Sequence, residues 1–131
     1  MRLNWKGLPF LLAAILWSAQ AESQDFKIWE AKIAEYKGWL DSVGVRGSRF
    51  WLRLDSSRRP HRLYVGDGFY SADHKTKEEF IEIFSHSLAG HPEKFMLIDL
   101  FDADTGRAVG EFGWGGFKLY TERQQAEGSR Q

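Results

Sequence analysis

The sequence predicts an α+β domain of two layers, an antiparallel sheet of four to five strands with two helices on one face, in the order α-β-β-α-β-β(-β). Three observations lead there. Apolar residues at Phe26, Trp29, Ile33, Tyr36, Leu40 and Val43 recur in steps of three and four, the period of one helix face. The stretches SRFWLRL (48–54) and HRLYVG (61–66) alternate between apolar and polar residues, the period of a half-buried strand. A composition 43% hydrophobic and 15% aromatic supplies enough apolar surface for one core in a chain of 131 residues.

The first segment stands apart. Arg2 and Lys6 precede an uncharged apolar run, Leu8 to Trp17, followed by Ser18-Ala19-Gln20-Ala21. That order predicts a secretory signal peptide, residues 1–21, cut after Ala21. The run, interrupted by Pro9, falls short of the roughly 20 apolar residues that cross a bilayer core. The chain has no cysteine, hence neither a disulfide nor a lipid-bearing thiol at the expected cut. Asn4 is its only asparagine, so residues 22–131 carry no N-glycosylation sequon. Both features fit an exported bacterial protein, periplasmic or secreted.

Residues 22–120 are expected to form a single domain, with 121–131 a polar tail. Its first helix presents the apolar stripe on one side and Lys27, Glu30, Lys37 and Asp41 on the other, and Gly44 is placed to stop it. Two strands follow around the turn-like DSSRRP. In TKEEFIEIFSHSLAGHP, Thr76 and Glu79 read as a capping box, Phe80, Ile81, Phe84 and Leu88 as the buried stripe, and Gly90 with Pro92 as the stop. KFMLIDLF and RAVGEFGW read as strands on either side of the tight turn DADTG, and FKLYT as one more strand. Either the Met96/Ile98/Leu100 side or the Phe95/Leu97/Phe101 side of this second hairpin can face the core. Asp99 and Glu111 interrupt opposite sides.

In the first hairpin, burying Phe50, Leu52 and Leu54 with Leu63 and Val65 leaves Trp51, Arg53, Arg62 and Tyr64 on the other side, with Arg49 nearby. With Leu54 opposite His61, Trp51 faces Tyr64 and Arg53 faces Arg62, two like charges that call for an anion such as Asp99 or a partner's carboxylate. Six arginines fall between positions 46 and 62, against Asp55 alone, whereas residues 67–104 hold nine acids and three lysines. Arginine with aromatic residues is the usual make-up of an interface hot spot. The candidate binding residues are therefore Arg49, Trp51, Arg53, Arg62 and Tyr64, and an internal pairing of these arginines with the acidic half is the structural alternative.

Other constellations are weaker. Glu82 and His86 share a helix face with His91 just beyond, which makes them candidate metal ligands, although such i,i+4 pairs are ordinary on helix surfaces. Asp102, Asp104 and Gly106 open like a calcium loop, but its twelfth position is Gly113 where a glutamate is required. GEFGWGGF has the glycines of a phosphate loop without the helix that must follow, so a bend is expected, with Trp114 exposed. No nucleophile elbow, zinc motif or paired carboxylate is evident, so no catalytic residue is assigned.

The reading that results is an exported small binding protein, such as an inhibitor, immunity protein or envelope adaptor, that presents its first hairpin to an acidic protein partner. The alternatives are a small metal-binding protein or hydrolase using Glu82, His86 and His91, and a glycan- or anionic-lipid-binding envelope domain using the same hairpin. No cofactor, nucleic acid or stable membrane insertion after cleavage is expected, since the charges balance over the whole chain and loss of Arg2 and Lys6 leaves two acids in excess. A homo-oligomer is compatible with the sequence.

Overall fold

The computed structural model describes residues 9–121 with residues 123 and 125, and side chains from residue 26 onward. The basic start of the expected leader and most of the expected tail lie outside the described residues. Helix α1 (Pro9–Ser42) leads to strands β1 (Trp51–Asp55) and β2 (His61–Val65). Helices α2 (Asp67–Ser71) and α3 (His74–Ala89) follow, then β3 (Ile98–Asp102), β4 (Ala108–Gly113) and β5 (Gly116–Leu119). The fold is α+β in the predicted order, with the short α2 added. No described helix is long and apolar enough to cross a membrane.

The five strands lie side by side in chain order. Three of the four pairings are antiparallel hairpins, β1 with β2 and β4 with both β3 and β5. The pairing of β2 with β3 is parallel, from His61↔Ile98 to Val65↔Asp102, so the sheet is mixed and the wholly antiparallel expectation is corrected. The cause is the crossover. The 16 residues of α3 span about 24 Å, more than a five-residue strand, and return the chain to the end where β2 began. β3 must then run the same way as β2.

One core forms between the helices and one sheet face. Leu63, Val65, Ile98, Leu100 and Val109 from the strands meet Leu40 and Val43 of α1, Phe69 of α2 and Phe80, Ile81 and Phe84 of α3. The second hairpin thus buries its Ile98/Leu100 side, leaving Phe101 half-exposed. Phe80 is the hub, its ring 5.4 Å from Phe50, 5.8 Å from Phe84 and 6.1 Å from Phe69. Buried Ser85 ties α3 to the following loop, donating to the Met96 carbonyl at 2.6 Å and accepting from its N–H at 2.7 Å.

Local signals mostly hold. Gly90 ends α3 in the left-handed region at φ 69°, and Gly106 at φ 75° closes the DADTG turn, where Asp102 accepts from the Thr105 N–H at 2.8 Å. The start of α3 differs. Asp73 is the N-cap, accepting from the Thr76 N–H at 2.8 Å, so Thr76 lies inside the first turn rather than capping it. The stripe of α1 is also used in part. Ile33, Leu40 and Val43 are buried, whereas Phe26 and Trp29 project past the end of α3.

Candidate functional site

The helices cover one sheet face, and the other face carries no buried residue among those described. The pairing determines what stands there. Arg53 lies opposite Tyr64, Tyr64 beside Phe101, and Phe101 opposite Ala108. A second row reads Asp55, Arg62, Asp99, Glu111, Lys118 across all five strands. Side chains alternate between faces, so both rows share one surface.

The first row is a stack. The Arg53 guanidinium lies 3.9 Å above the centre of the Tyr64 ring. Tyr64 and Phe101 lie side by side, 5.5 Å between centroids and 29° between planes. Arg62 approaches the Phe101 ring to 5.2 Å. Two cations therefore rest on two aromatic faces, each contact contributing about 0.5–1 kcal/mol at an exposed site. Neither arginine makes an ion pair with a described residue. A guanidinium placed over a ring still has N–H groups with which to bind a carboxylate or phosphate in bidentate fashion.

The second row adds carboxylates. Asp99 and Glu111 are cross-strand partners. Burial pushes the Asp99 carboxyl above its ordinary pKa, Glu111 pushes it further, and Arg62 opposes both. The Tyr120 hydroxyl donates to Glu111 Oε1 at 3.2 Å, and its own pKa is pushed up to about 12, chiefly by burial and then by Glu111. Asp55 is held below its usual value by hydrogen bonds from the Ser57 hydroxyl and N–H.

The structure sorts the predicted binding residues into three. Arg53, Arg62 and Tyr64 come together on the open face. Trp51 does not, because a bulge between Trp51 and Arg53 turns it to the helices. Its indole N–H donates to the Leu40 carbonyl at 2.9 Å and its ring meets Phe84 at 5.0 Å. Arg49 stands in the loop before β1 at φ 57°, and its Nε donates to Asp67 Oδ1 at 3.1 Å, the internal pairing foreseen as the alternative. Direct opposition of Arg53 and Arg62 is corrected as well: the register pairs Arg62 with Asp55.

Phe101, Glu111, Lys118 and Tyr120 were not selected from the sequence. Their signal is the parallel β2–β3 pairing, which sets Phe101 beside Tyr64 and Asp99 beside Arg62, and no local pattern announces it. The candidate metal ligands are engaged elsewhere. His86 shares a hydrogen bond between its Nδ1 and the Lys94 carbonyl at 2.6 Å, and His91 Nδ1 accepts from the Glu93 N–H at 3.0 Å while its ring lies 4.5 Å from that of Trp29. Glu82 is exposed, and no group of three potential ligands occurs among the described residues.

A different concave region lies between the middle of α1 and the residues that end α3, a groove of about 590 Å³ lined by Phe26, Trp29, Ile33, Ala34, Lys37 and His91. It shares no residue with the open sheet face. Comparison with protein-family models, with curated proteins and with solved structures finds no match to this chain.

Proposed function

We propose that this is an exported binding protein that holds an acidic segment of a partner protein on its open sheet face. The observation that carries the reading is the pair Arg53 and Arg62, stacked on Tyr64 and Phe101 with no carboxylate within ion-pair distance among the described residues. Contact with a ring restrains each guanidinium before binding, which lowers the ordering cost that a mobile side chain incurs on association. Phe101 and Tyr64 add apolar area to the same patch, the mixture that concentrates binding energy at interfaces.

Export is supported by Arg2, Lys6, the apolar run and the Ala19-Gln20-Ala21 cleavage pattern.

The test is capture of a partner from cell-envelope and secreted extract by the immobilised chain, at low and moderate salt, beside the Arg53→Ala/Arg62→Ala variant. One stoichiometric protein with an acidic stretch, released by salt and lost in the variant, is the expected result. Equal capture by the variant refutes the assignment of the face.

A further inference from the structure

We propose that the open sheet face is regulated by pH through its Asp99–Glu111 pair, holding an acidic segment more tightly in mild acid than at neutral pH, because a proton on Asp99 removes a negative charge beside Arg62. The inference rests on the reading of that face as the binding surface and adds its regulation. The two rows of the face set Arg53, Arg62 and Lys118 against Asp55, Asp99 and Glu111, so their charges cancel while every carboxyl is ionised. An acidic segment that approaches Arg53 and Arg62 then meets as many carboxylates as cations. One added proton tips that balance toward the anion.

Asp99 is the group placed to take it. Its register partners are Arg62 of β2 on one side and Glu111 of β4 on the other. Carboxylates directly opposed across strands, with Cβ atoms about 4.5–5.5 Å apart, repel one another. Glu111 has compensation, since the Tyr120 hydroxyl donates to it at 3.2 Å and Lys118 is its partner on β5. Asp99 is half-buried, and no hydrogen bond or ion pair reaches its carboxyl among the described residues. Burial and Glu111 push its pKa up by more than Arg62 lowers it. The other charged or titratable groups of the two rows, Arg53 and Asp55 of β1 and Tyr64 of β2, are not register partners of Asp99. Asp55 stays ionised, held below its usual value by the Ser57 hydroxyl and N–H. None of the four histidines stands in these rows: His61 shares the side of Leu63 and Val65, and His74, His86 and His91 belong to α3 or the residues that end it.

Protonation leaves the cations where they are. Arg53 lies over Tyr64 and Arg62 over Phe101, and neither is tied to a described carboxylate, so no bridge has to break. The coupling acts through space. Removing one charge a few ångströms from a bound carboxylate at a partly solvated surface is worth about a three- to tenfold change in affinity. The sign follows from the charges: below the pH at which Asp99 takes its proton the face is positive and holds the anion, and above it the face is neutral and releases it. Linkage makes the effect reciprocal, so a bound anion raises the proton affinity of Asp99 by the same factor.

The experiment measures binding of a rhodamine-labelled oligo-aspartate peptide to the full chain at about pH 7.5 and about pH 5, where the peptide's own carboxylates stay ionised. The wild type should bind more tightly at the lower pH. Asp99→Asn should bind about three- to tenfold more tightly than the wild type at the higher pH and lose most of the pH dependence. Carbon-13 NMR of the Asp99 carboxyl, with and without peptide, should show a titration midpoint above the ordinary aspartate value that rises further when peptide is bound. Binding that is lost in Arg53→Ala/Arg62→Ala but is equal at both pH values, or that keeps its full pH dependence in Asp99→Asn, overturns the regulation and leaves the face reading standing. An Asp99 midpoint at or below the ordinary value overturns it whatever the peptide does. Equal binding by the arginine variant, or none by the wild type at the lower pH, removes the face reading and this inference with it.

Discussion

Trp51 and Arg53 are two residues apart, yet the bulge between them sends one to the core and the other to solvent, and their variants should behave oppositely. Trp51→Ala removes a ring packed on Phe84 and a hydrogen bond to Leu40, a loss of about 3 kcal/mol in denaturant unfolding. Arg53→Ala removes only a surface cation–π contact and should cost less than about 1 kcal/mol while weakening partner capture. Similar unfolding midpoints for the two would contradict this placement. His61 is buried, with no hydrogen-bond partner for its Nε2 among the described residues and its Nδ1 2.8 Å from the Ser56 hydroxyl. Burial, reinforced by Arg59, holds its pKa below the ordinary value. The unfolded chain then takes up a proton below about pH 6.5 that the folded chain resists, so stability should fall as pH drops from there. His61→Leu should flatten that part of the stability profile. Asp99 has the opposite sign. Its raised pKa means that the folded state takes the proton first, so its cost at neutral pH is relieved on acidification. Asp99→Asn should accordingly raise the melting temperature at pH 7, and a lowered one would show that Arg62 outweighs burial and Glu111.

Helix α3 is the element on which the topology turns. Asp73 caps its N-terminus, Gly90 ends it in the left-handed region, and Ser85 fastens its inner face to Met96. Asp73→Ala should cost about 1 kcal/mol, the usual worth of an N-cap. Ser85→Ala should cost about 1–3 kcal/mol, because the Met96 N–H loses the side-chain acceptor the structure provides. Equilibrium unfolding of both variants measures this, and a larger loss for the exposed cap than for the buried hydroxyl would contradict the ranking. The α1 stripe shows how far periodicity can be trusted. The spacing of Phe26, Trp29, Ile33, Tyr36, Leu40 and Val43 correctly indicates one helical face, but α3 is long enough to cover only its latter part. An apolar face indicates that burial is possible, and the length of the neighbouring element decides how much of it occurs.

For the molecule as a whole, the buried hydrophobic residues described run from Ile33 to Val109, and the crossover from β2 through α3 to β3 ties the two hairpins into one sheet. Removing residues 1–21 should leave the melting temperature within a degree or two of the full chain, with one cooperative transition. A large loss of stability would mean that the start of α1 contributes packing to the fold. The open sheet face carries cations and carboxylates together, so its associations should weaken with salt.

Local chemistry was legible in the chain itself. Helix and strand periods, the glycines that close the α3 terminus and the DADTG turn, the basic first hairpin and the exposed Trp114 all depend on residues close together in sequence. The composition of the open face was legible in part, through Arg53, Arg62 and Tyr64, because strand faces alternate whatever the register. Tertiary structure alone decided the rest. The bulge that withdrew Trp51, the crossover that made β2 and β3 parallel, and the resulting stack of Arg53, Tyr64, Phe101 and Arg62 join residues up to 48 positions apart. Local periodicity specifies which side of an element is apolar. Which elements become neighbours, and in which direction they run, follows only when all the apolar faces are buried against one another at once.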